Sequence, residues 1–348
     1  MHTRFALKTT ILCLLWIVAQ GQSPALASKV KVLVGAGYKK QLADLEKRLP
    51  NLELVVPGQG GIADVIADCD AIIGLPYGQK GQEILRQGKK LRWVHSTSAG
   101  VEKIVHIPEL KDSDITLTNA KIMMGPEIAD HVFALLLALT RNLKEYDREM
   151  DSGNWMRGET RLPMIELRRK TMVIIGLGGI GSQVAQRAAA FDMRVLGVDP
   201  KDIPLSRDVE EVVVPDQLHR VLPEADVVVS CVPHTPASEG MLGPAEFAAM
   251  KEGVYVVNVS RGKVIRTDAL LEALRSGKVR AAGLDVTDPE PLPADHPLWK
   301  MDNVIITPHV ATRSRLSRVR LANLIRDNIE RFATGRPLRH VVNKAAGY

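Results

Sequence analysis

The sequence predicts an α/β protein of two doubly wound parallel-sheet domains with an active-site cleft between them. Three observations carry this expectation. The chain has 348 residues, more than one hydrophobic core usually organises. Short β-rich runs alternate with longer amphipathic stretches in two successive series, the rhythm of parallel β-α-β units. The second series opens on Val173-Ile174-Ile175, which runs straight into Gly176-Leu177-Gly178-Gly179-Ile180-Gly181 and a helical stretch from Gln183 to Ala190.

In chain order, the first segment stands apart. Arg4 and Lys8 precede an apolar run from Ile11 to Ala19, and Ala25-Leu26-Ala27 offers small residues at a cleavage site. Residues 1–27 read as a secretory signal peptide, so the mature chain is expected to begin near Ser28 and to be exported, periplasmic or secreted. The apolar run is short for a membrane span, which makes a retained anchor or a cytoplasmic form the lesser alternative and leaves no stable membrane insertion after cleavage. Cleavage would remove two basic residues and lower the formal charge of +6 by two.

From residue 28, Val30 to Val34, Ala71 to Gly74 and Leu91 to His95 read as strands with helices between them. A single long helix is expected from about Pro126 to Met150. Its early part crowds Ala129, Val132, Phe133, Leu136, Leu137 and Leu139, which suggests packing at a domain or subunit interface. Six buried-strand candidates follow: Met172 to Ile175, Arg194 to Val198, Val227 to Cys231, Gly253 to Asn258, Ala281 to Leu284 and Val304 to Ile306. The last helical stretch, Ser314 to Ala333, is expected to return to the first lobe. This makes residues 123–312 a domain inserted into another formed by 28–122 and 313–348.

Composition narrows the partners. Hydrophobic residues make up 45% and charged residues 25% of the chain, as in folded globular proteins. Basic residues are interleaved with acidic ones except at Arg313, Arg315, Arg318 and Arg320, which read as a solvated helix face rather than a nucleic-acid patch. With Cys13 in the leader, Cys69 and Cys231 lie far apart and form no disulfide framework or metal-ligand spacing.

The glycine turn carries chemistry because it has its strand before it and its helix after it. Gly176 permits a tight turn, Gly178 a close approach to a pyrophosphate, and Gly181 close helix packing, with Gly179 and Ile180 at the helix N-terminus that faces the phosphates. Asp199 ends the next strand, where a carboxylate accepts from the ribose hydroxyls and repels a 2′-phosphate. This favours NAD over NADP, although Lys201 two residues on softens the preference.

With these motifs in place, the chain from about Ser96 to His309 resembles the D-isomer-specific 2-hydroxyacid dehydrogenase family. The resemblance rests on Ser98-Ala99-Gly100, Glu166-Leu167 with Lys170-Thr171 and the glycine turn, Pro233-His234-Thr235, Asn258-Val259-Ser260-Arg261-Gly262, Leu284-Asp285-Val286 through Pro289-Glu290-Pro291-Leu292, and Thr307-Pro308-His309. The run Asp295-His296-Pro297-Leu298-Trp299 is most similar to the glyoxylate/hydroxypyruvate reductase and phosphoglycerate dehydrogenase branches.

The resemblance implies a Rossmann NAD domain inserted into a flavodoxin-like substrate domain, a small 2-oxo or 2-hydroxy acid substrate, and a homodimer. It assigns Arg261 to the substrate carboxylate, His309 to the proton on the 2-oxo oxygen, and Glu290 to orienting His309 and stabilising its imidazolium. Those residue types suit the work: a planar guanidinium fork grips a carboxylate, and imidazole exchanges protons near neutrality. Pro233 and Asp285 are implied at the cofactor, Asp285 on the nicotinamide carboxamide, and the backbone N–H groups of Ser98, Ala99 and Gly100 at the substrate carboxylate. Pro76 and Tyr77 read either as a wall of the side-chain pocket or as a plain turn.

Three departures stand out: Gly179 where relatives carry a larger, often basic residue, Ala311-Thr312 after the histidine, and a leader on a protein that needs a diffusible cofactor. Two alternatives stay open, a phosphite dehydrogenase-like enzyme sharing the Arg, Glu and His trio, and a non-catalytic exported nucleotide-binding protein.

Overall fold

The computed structural model describes residues 29–348 except 157, 159, 202, 204 and 205; the leader at 1–27 lies outside them. The first sheet contains β1 (Val30–Leu33), β2 (Leu52–Val55), β3 (Ala71–Ile73), β4 (Trp93–His95) and β5 (Thr116–Thr118). All are parallel, in the order β2-β1-β3-β4-β5, the flavodoxin-like order that opens a crevice where β1 and β3 send their connections to opposite sides.

The second sheet contains β6 (Thr171–Ile175), β7 (Arg194–Val198), β8 (Glu211–Val213), β9 (Val227–Ser230), β10 (Val254–Asn258), β11 (Val279–Leu284) and β12 (Val304–Ile306). Its order is β12-β11-β10-β9-β6-β7-β8, again all parallel. The reversal falls between β6 and β9, so the loops after these two strands border the crevice in which such sheets hold dinucleotides.

The sequence reading named six strands for this sheet and missed β8, and it named neither β2 nor β5 in the first. All three are edge strands of three or four residues. Half of their surroundings is solvent or loop, so Glu53, Thr116 and Glu211 are tolerated and the continuous apolar run of a central strand is lost.

The long helix is also corrected. It ends at Thr140, and a second helix, Leu143–Asp151, starts after Asn142. Asn142 has φ +54°, a left-handed conformation that an asparagine tolerates better than most residues and that no α-helix continues through. Its amide holds the break by donating to Thr160 Oγ1 at 2.7 Å and the Leu162 carbonyl at 2.6 Å.

The apolar surplus of the Gly125–Thr140 helix is buried within the second lobe rather than offered to a neighbour. Ala129, Val132 and Leu136 are packed among Met172, Ile174, Val227, Val229 and Val257 on one face of the sheet. Gly125 lies so close to the Gly179–Ala190 helix that a Cβ there would sit 3.2 Å from Gln183 Cγ.

The Arg315–Ala333 helix is capped by Ser314, whose hydroxyl accepts from Ser317 N at 2.9 Å. Ile325, Ile329 and Ala333 join Val32, Leu42, Leu45 and Trp93 in the core of the first lobe. Leu316 and Val319, near the start of this helix, are exposed. Arg313, Arg315 and Arg318 are exposed, while Arg320 pairs with Glu127 and donates to the Met123 carbonyl at 2.7 Å.

Candidate active site

Every candidate residue of the second sheet lies just beyond the carboxyl end of a strand. Gly176 follows β6, Asp199 β7, Pro233 β9, Arg261 β10, Asp285 β11 and Glu290 further along the same connection, while His309 follows β12. Because the strands are parallel and adjacent, these ends share one edge of the sheet.

The glycine turn has the shape that a bound pyrophosphate requires. Gly176 has φ +92°, and a Cβ there would meet the Cys231 backbone at 3.0 Å across the β6–β9 crevice. A Cβ on Gly181 would run into the Gly176 carbonyl, whereas the Gly178 position faces open space. The Gly179–Ala190 helix has neither a capping side chain nor an acidic residue in its first turn, so the N–H groups at its start are available to an anion. Ile180 is half-buried beside them.

Gly179 receives a structural reason. A Cβ there would lie 2.6 Å from Ile122 Cα, because Ile122, with φ +75°, carries the chain from the first lobe across the turn. Asp199 is only 8% exposed. One carboxylate oxygen accepts from Leu177 N and the other from Lys201 N, both at 2.9 Å, so it braces the turn. Lys201 Nζ sits 4.7 Å from the centre of the Tyr348 ring. Pro233 is exposed at the rim, its carbonyl accepting from Ser238 Oγ at 2.6 Å.

His309 and Glu290 meet directly, with Nδ1 2.8 Å from Oε1. His309 Nε2 has no partner among the described residues, so the exposed pair leaves one imidazole nitrogen toward the cleft. Arg261 reaches across to the other lobe: its Nε donates to Glu102 Oε1 at 2.8 Å and its Nη1 to the Ser260 carbonyl at 2.7 Å. The guanidinium lies against Gly100, where a Cβ would collide with it.

Ser98 and Ala99 are tied to the next strand connection, Ser98 through the Ala120 N–H at 3.1 Å and Ala99 through Asn119 Nδ2 at 2.6 Å, each to its carbonyl. The N–H groups of Ala99 and Gly100 have no acceptor among the described residues. Tyr77, half-exposed at the end of the Pro76 loop, lies beneath Lys103 Nζ, 5.5 Å from the ring centre. A cationic fork facing unpaired N–H groups across a cleft can hold a small carboxylate.

Asp285 lies against the start of the His309 loop. It is 2% exposed, and its carboxylate accepts from Thr307 Oγ1 at 2.6 Å and from the N–H groups of Val310 and Ala311 at 3.0 Å each. It therefore organises the His309 loop. Ala311, which follows the histidine, is buried in the apolar core of the second lobe.

Glu102, His131, Thr307 and Ile122 were not singled out in the sequence. Thr307 lies within Thr307-Pro308-His309, whereas Glu102 lies two residues beyond Gly100 and outside any motif; only folding supplies the partners of either. Burial alone would push the Glu102 carboxyl up, but the charge and hydrogen bond of Arg261 hold it below the usual carboxylate range. A cavity of about 460 Å³ lined by Leu143, Lys144, Trp299 and Ile305 includes none of these groups in its lining.

The two sheets and the glycine turn define a two-lobed α/β protein with an NAD(P)-binding domain. Residues 133–311 match the D-isomer specific 2-hydroxyacid dehydrogenase, NAD binding domain. A D-3-phosphoglycerate dehydrogenase of Archaeoglobus fulgidus is 34% identical over 90% of the chain, which spans 59% of that relative's length. A glyoxylate reductase of Korarchaeum cryptofilum is 34% identical over 83% of the chain and 87% of its own length.

Among solved structures, a D-isomer specific 2-hydroxyacid dehydrogenase family protein of Aeromonas salmonicida superimposes with a TM-score of 0.78 at 31% identity, covering 91% of this chain and all of its own. A relative from Xanthobacter autotrophicus, in complex with NADPH and MES, reaches 0.77 at 27% identity, covering 92% of this chain and 100% of its own. The chain belongs to the D-isomer-specific 2-hydroxyacid dehydrogenase family.

Proposed function

We propose that the protein is an NAD(H)-dependent oxidoreductase that interconverts a short 2-oxo acid and its D-2-hydroxy acid. The observation that carries this reading is the His309–Glu290 pair at 2.8 Å, on the same sheet edge as Arg261 and the glycine turn. The names of the relatives, glyoxylate and hydroxypyruvate reductases among them, support the substrate class.

The residues fit a nicotinamide dinucleotide: the uncapped helix start and Gly178 would take the pyrophosphate, and Asp199 would stand at the adenosine ribose. When bound, the reduced nicotinamide supplies a hydride to the 2-oxo carbon. Arg261 and the Ala99 and Gly100 N–H groups hold the substrate carboxylate and so fix which carbonyl face is presented. Protonated His309 delivers a proton from Nε2 to the carbonyl oxygen, while Glu290 at Nδ1 keeps the ring turned and stabilises its charge. Asp199 supports NAD over NADP through repulsion of a 2′-phosphate.

The test is NADH oxidation by the mature chain with glyoxylate, hydroxypyruvate and pyruvate. His309→Ala and Arg261→Ala are expected to lower kcat/KM by about 100-fold or more. Wild-type turnover unaffected by either change refutes the assigned roles. A parallel titration with NADPH is expected to give the weaker kcat/KM, and the reverse order overturns the NAD preference.

Two further readings belong here. Homodimerisation is supported by Leu143, Met150 and Trp155, the last 83% exposed, clustered along the Leu143–Asp151 helix and its exit; a monomer mass by light scattering at micromolar concentration refutes it. Export rests on the leader pattern at residues 1–27, and amino-terminal sequencing of the secreted or periplasmic fraction checks cleavage before Ser28. No helix among the described residues is long and apolar enough to cross a membrane.

A further inference from the structure

The His309 loop is held by a chain of contacts that ends on a helix outside the cleft. His309 has φ +53°, a left-handed conformation uncommon outside glycine that persists when its surroundings impose it. Its N–H donates to the Asp285 carbonyl at 2.8 Å, and the next two N–H groups end on the Asp285 carboxylate at 3.0 Å each. Two successive backbone donors thus depend on the position of one buried side chain, and a third on the main chain of the same residue.

That side chain is steadied from behind. Thr307 Oγ1 lies 2.6 Å from Asp285 Oδ1 and 2.8 Å from His131 Nε2, while His131 Nε2 itself stands 3.5 Å from Asp285 Oδ1. A carboxylate only accepts, so the threonine hydroxyl gives its single proton to Asp285 and must accept from His131 Nε2–H. His131 lies on the Gly125–Thr140 helix, whose neighbouring side chains Ile128, Ala129, Val132 and Phe133 are packed in the core. Asp130, adjacent in sequence, is paired with Arg187 Nε at 2.8 Å, so it does not compete for the imidazole.

We infer that His131 is a positioning residue for His309, acting through Thr307 and Asp285 to set the loop that carries the imidazole. This rests on the reading of His309 as the proton donor. The polar contacts of His131 among the described residues are with Thr307 and Asp285, so its effect is expected on catalytic geometry rather than on dinucleotide affinity.

The experiment compares His131→Phe, which keeps ring bulk and removes the donor, with His131→Gln, whose amide nitrogen reaches about as far as Nε2. In His131→Phe, kcat with glyoxylate and NADH is expected to fall by about tenfold to a hundredfold, as for other residues that orient a reacting group. NADH affinity, followed by its fluorescence, is expected to change less than about twofold, and His131→Gln to recover most of kcat. A lowered melting temperature with unchanged kcat, or equal loss of kcat and NADH affinity in both variants, overturns the inference.

A second readout needs no turnover. In protein labelled with ¹⁵N-histidine and assigned by single-histidine substitutions, His131 is expected as the Nε2–H tautomer, and His131→Phe is expected to shift the ring-nitrogen signals of His309. Unmoved His309 signals refute the inference. Shifted signals in a chain that reduces none of the 2-oxo acids sustain it and place the failure in the proposed activity.

Discussion

Lowering the pH should destabilise the first lobe through one buried histidine. His95 ends β4, directly before the Ser98-Ala99-Gly100 loop, and is fully buried. Its Nδ1 lies 2.8 Å from Thr118 Oγ1, which also accepts from Trp93 Nε1 at 2.8 Å, and its Nε2 has no partner. Burial, with a smaller contribution from the nearby His340, holds the imidazole down from 6.5 to about 4.

The unfolded chain therefore takes up a proton below pH 6.5 that the folded chain refuses until about pH 4. The associated stability is fully present above the unfolded value and is lost as the pH falls through this window. The difference corresponds to about 3 kcal/mol in full and about 2 kcal/mol by pH 5. Urea unfolding at pH 7 and pH 5, followed by the fluorescence of buried Trp93, measures it. His95→Phe retains a ring in the space and removes the titration, so its stability should fall by about 2 kcal/mol less over the same interval. Parallel pH dependences in the wild type and the variant refute the reasoning.

Other expectations follow from particular contacts. Gly179→Ala places a methyl 2.6 Å from Ile122 Cα and should destabilise the protein by about 1–3 kcal/mol while weakening NADH binding, both read by thermal shift with and without NADH. Ile122→Asn relieves a β-branched side chain at φ +75° and should stabilise the apoprotein by about 1 kcal/mol in urea unfolding; a loss of stability contradicts the strain. Glu102→Gln removes the charge that holds Arg261 Nε at 2.8 Å and should lower kcat/KM for glyoxylate by about tenfold. Burial pushes the Cys231 thiol up to about 12 and the Cys69 thiol up to about 11, so neither should react with a disulfide reagent at pH 8 in the native protein.

Local sequence carried the elements whose physics is local. A central strand buried on both faces must be apolar throughout, so β6, β9 and β10 were legible. The edge strands β2, β5 and β8 were not, because polar residues interrupt them. The break at Asn142 was hidden for a related reason: asparagine is acceptable in a helix, and only its amide contacts with Thr160 and Leu162 reveal the left-handed turn. The apolar Gly125–Thr140 helix was expected at a domain or subunit interface and instead packs in the core of its own lobe, because periodicity does not say against what a helix packs.

The same division runs through the candidate site. The sequence by itself determined the residue types at the strand ends: the glycines, Asp199, Arg261, Glu290 and His309, each fixed by what a turn or a reacting group demands of one position. Only the tertiary structure decided their partners. It set Glu102 on Arg261, Ile122 against Gly179, and His131 behind Thr307 and Asp285, pairs separated by 159, 57 and 176 residues in the case of Glu102, Ile122 and His131. Such contacts leave no periodic trace in the chain, because a hydrogen bond depends on distance in space and any suitable donor that the fold delivers there will serve.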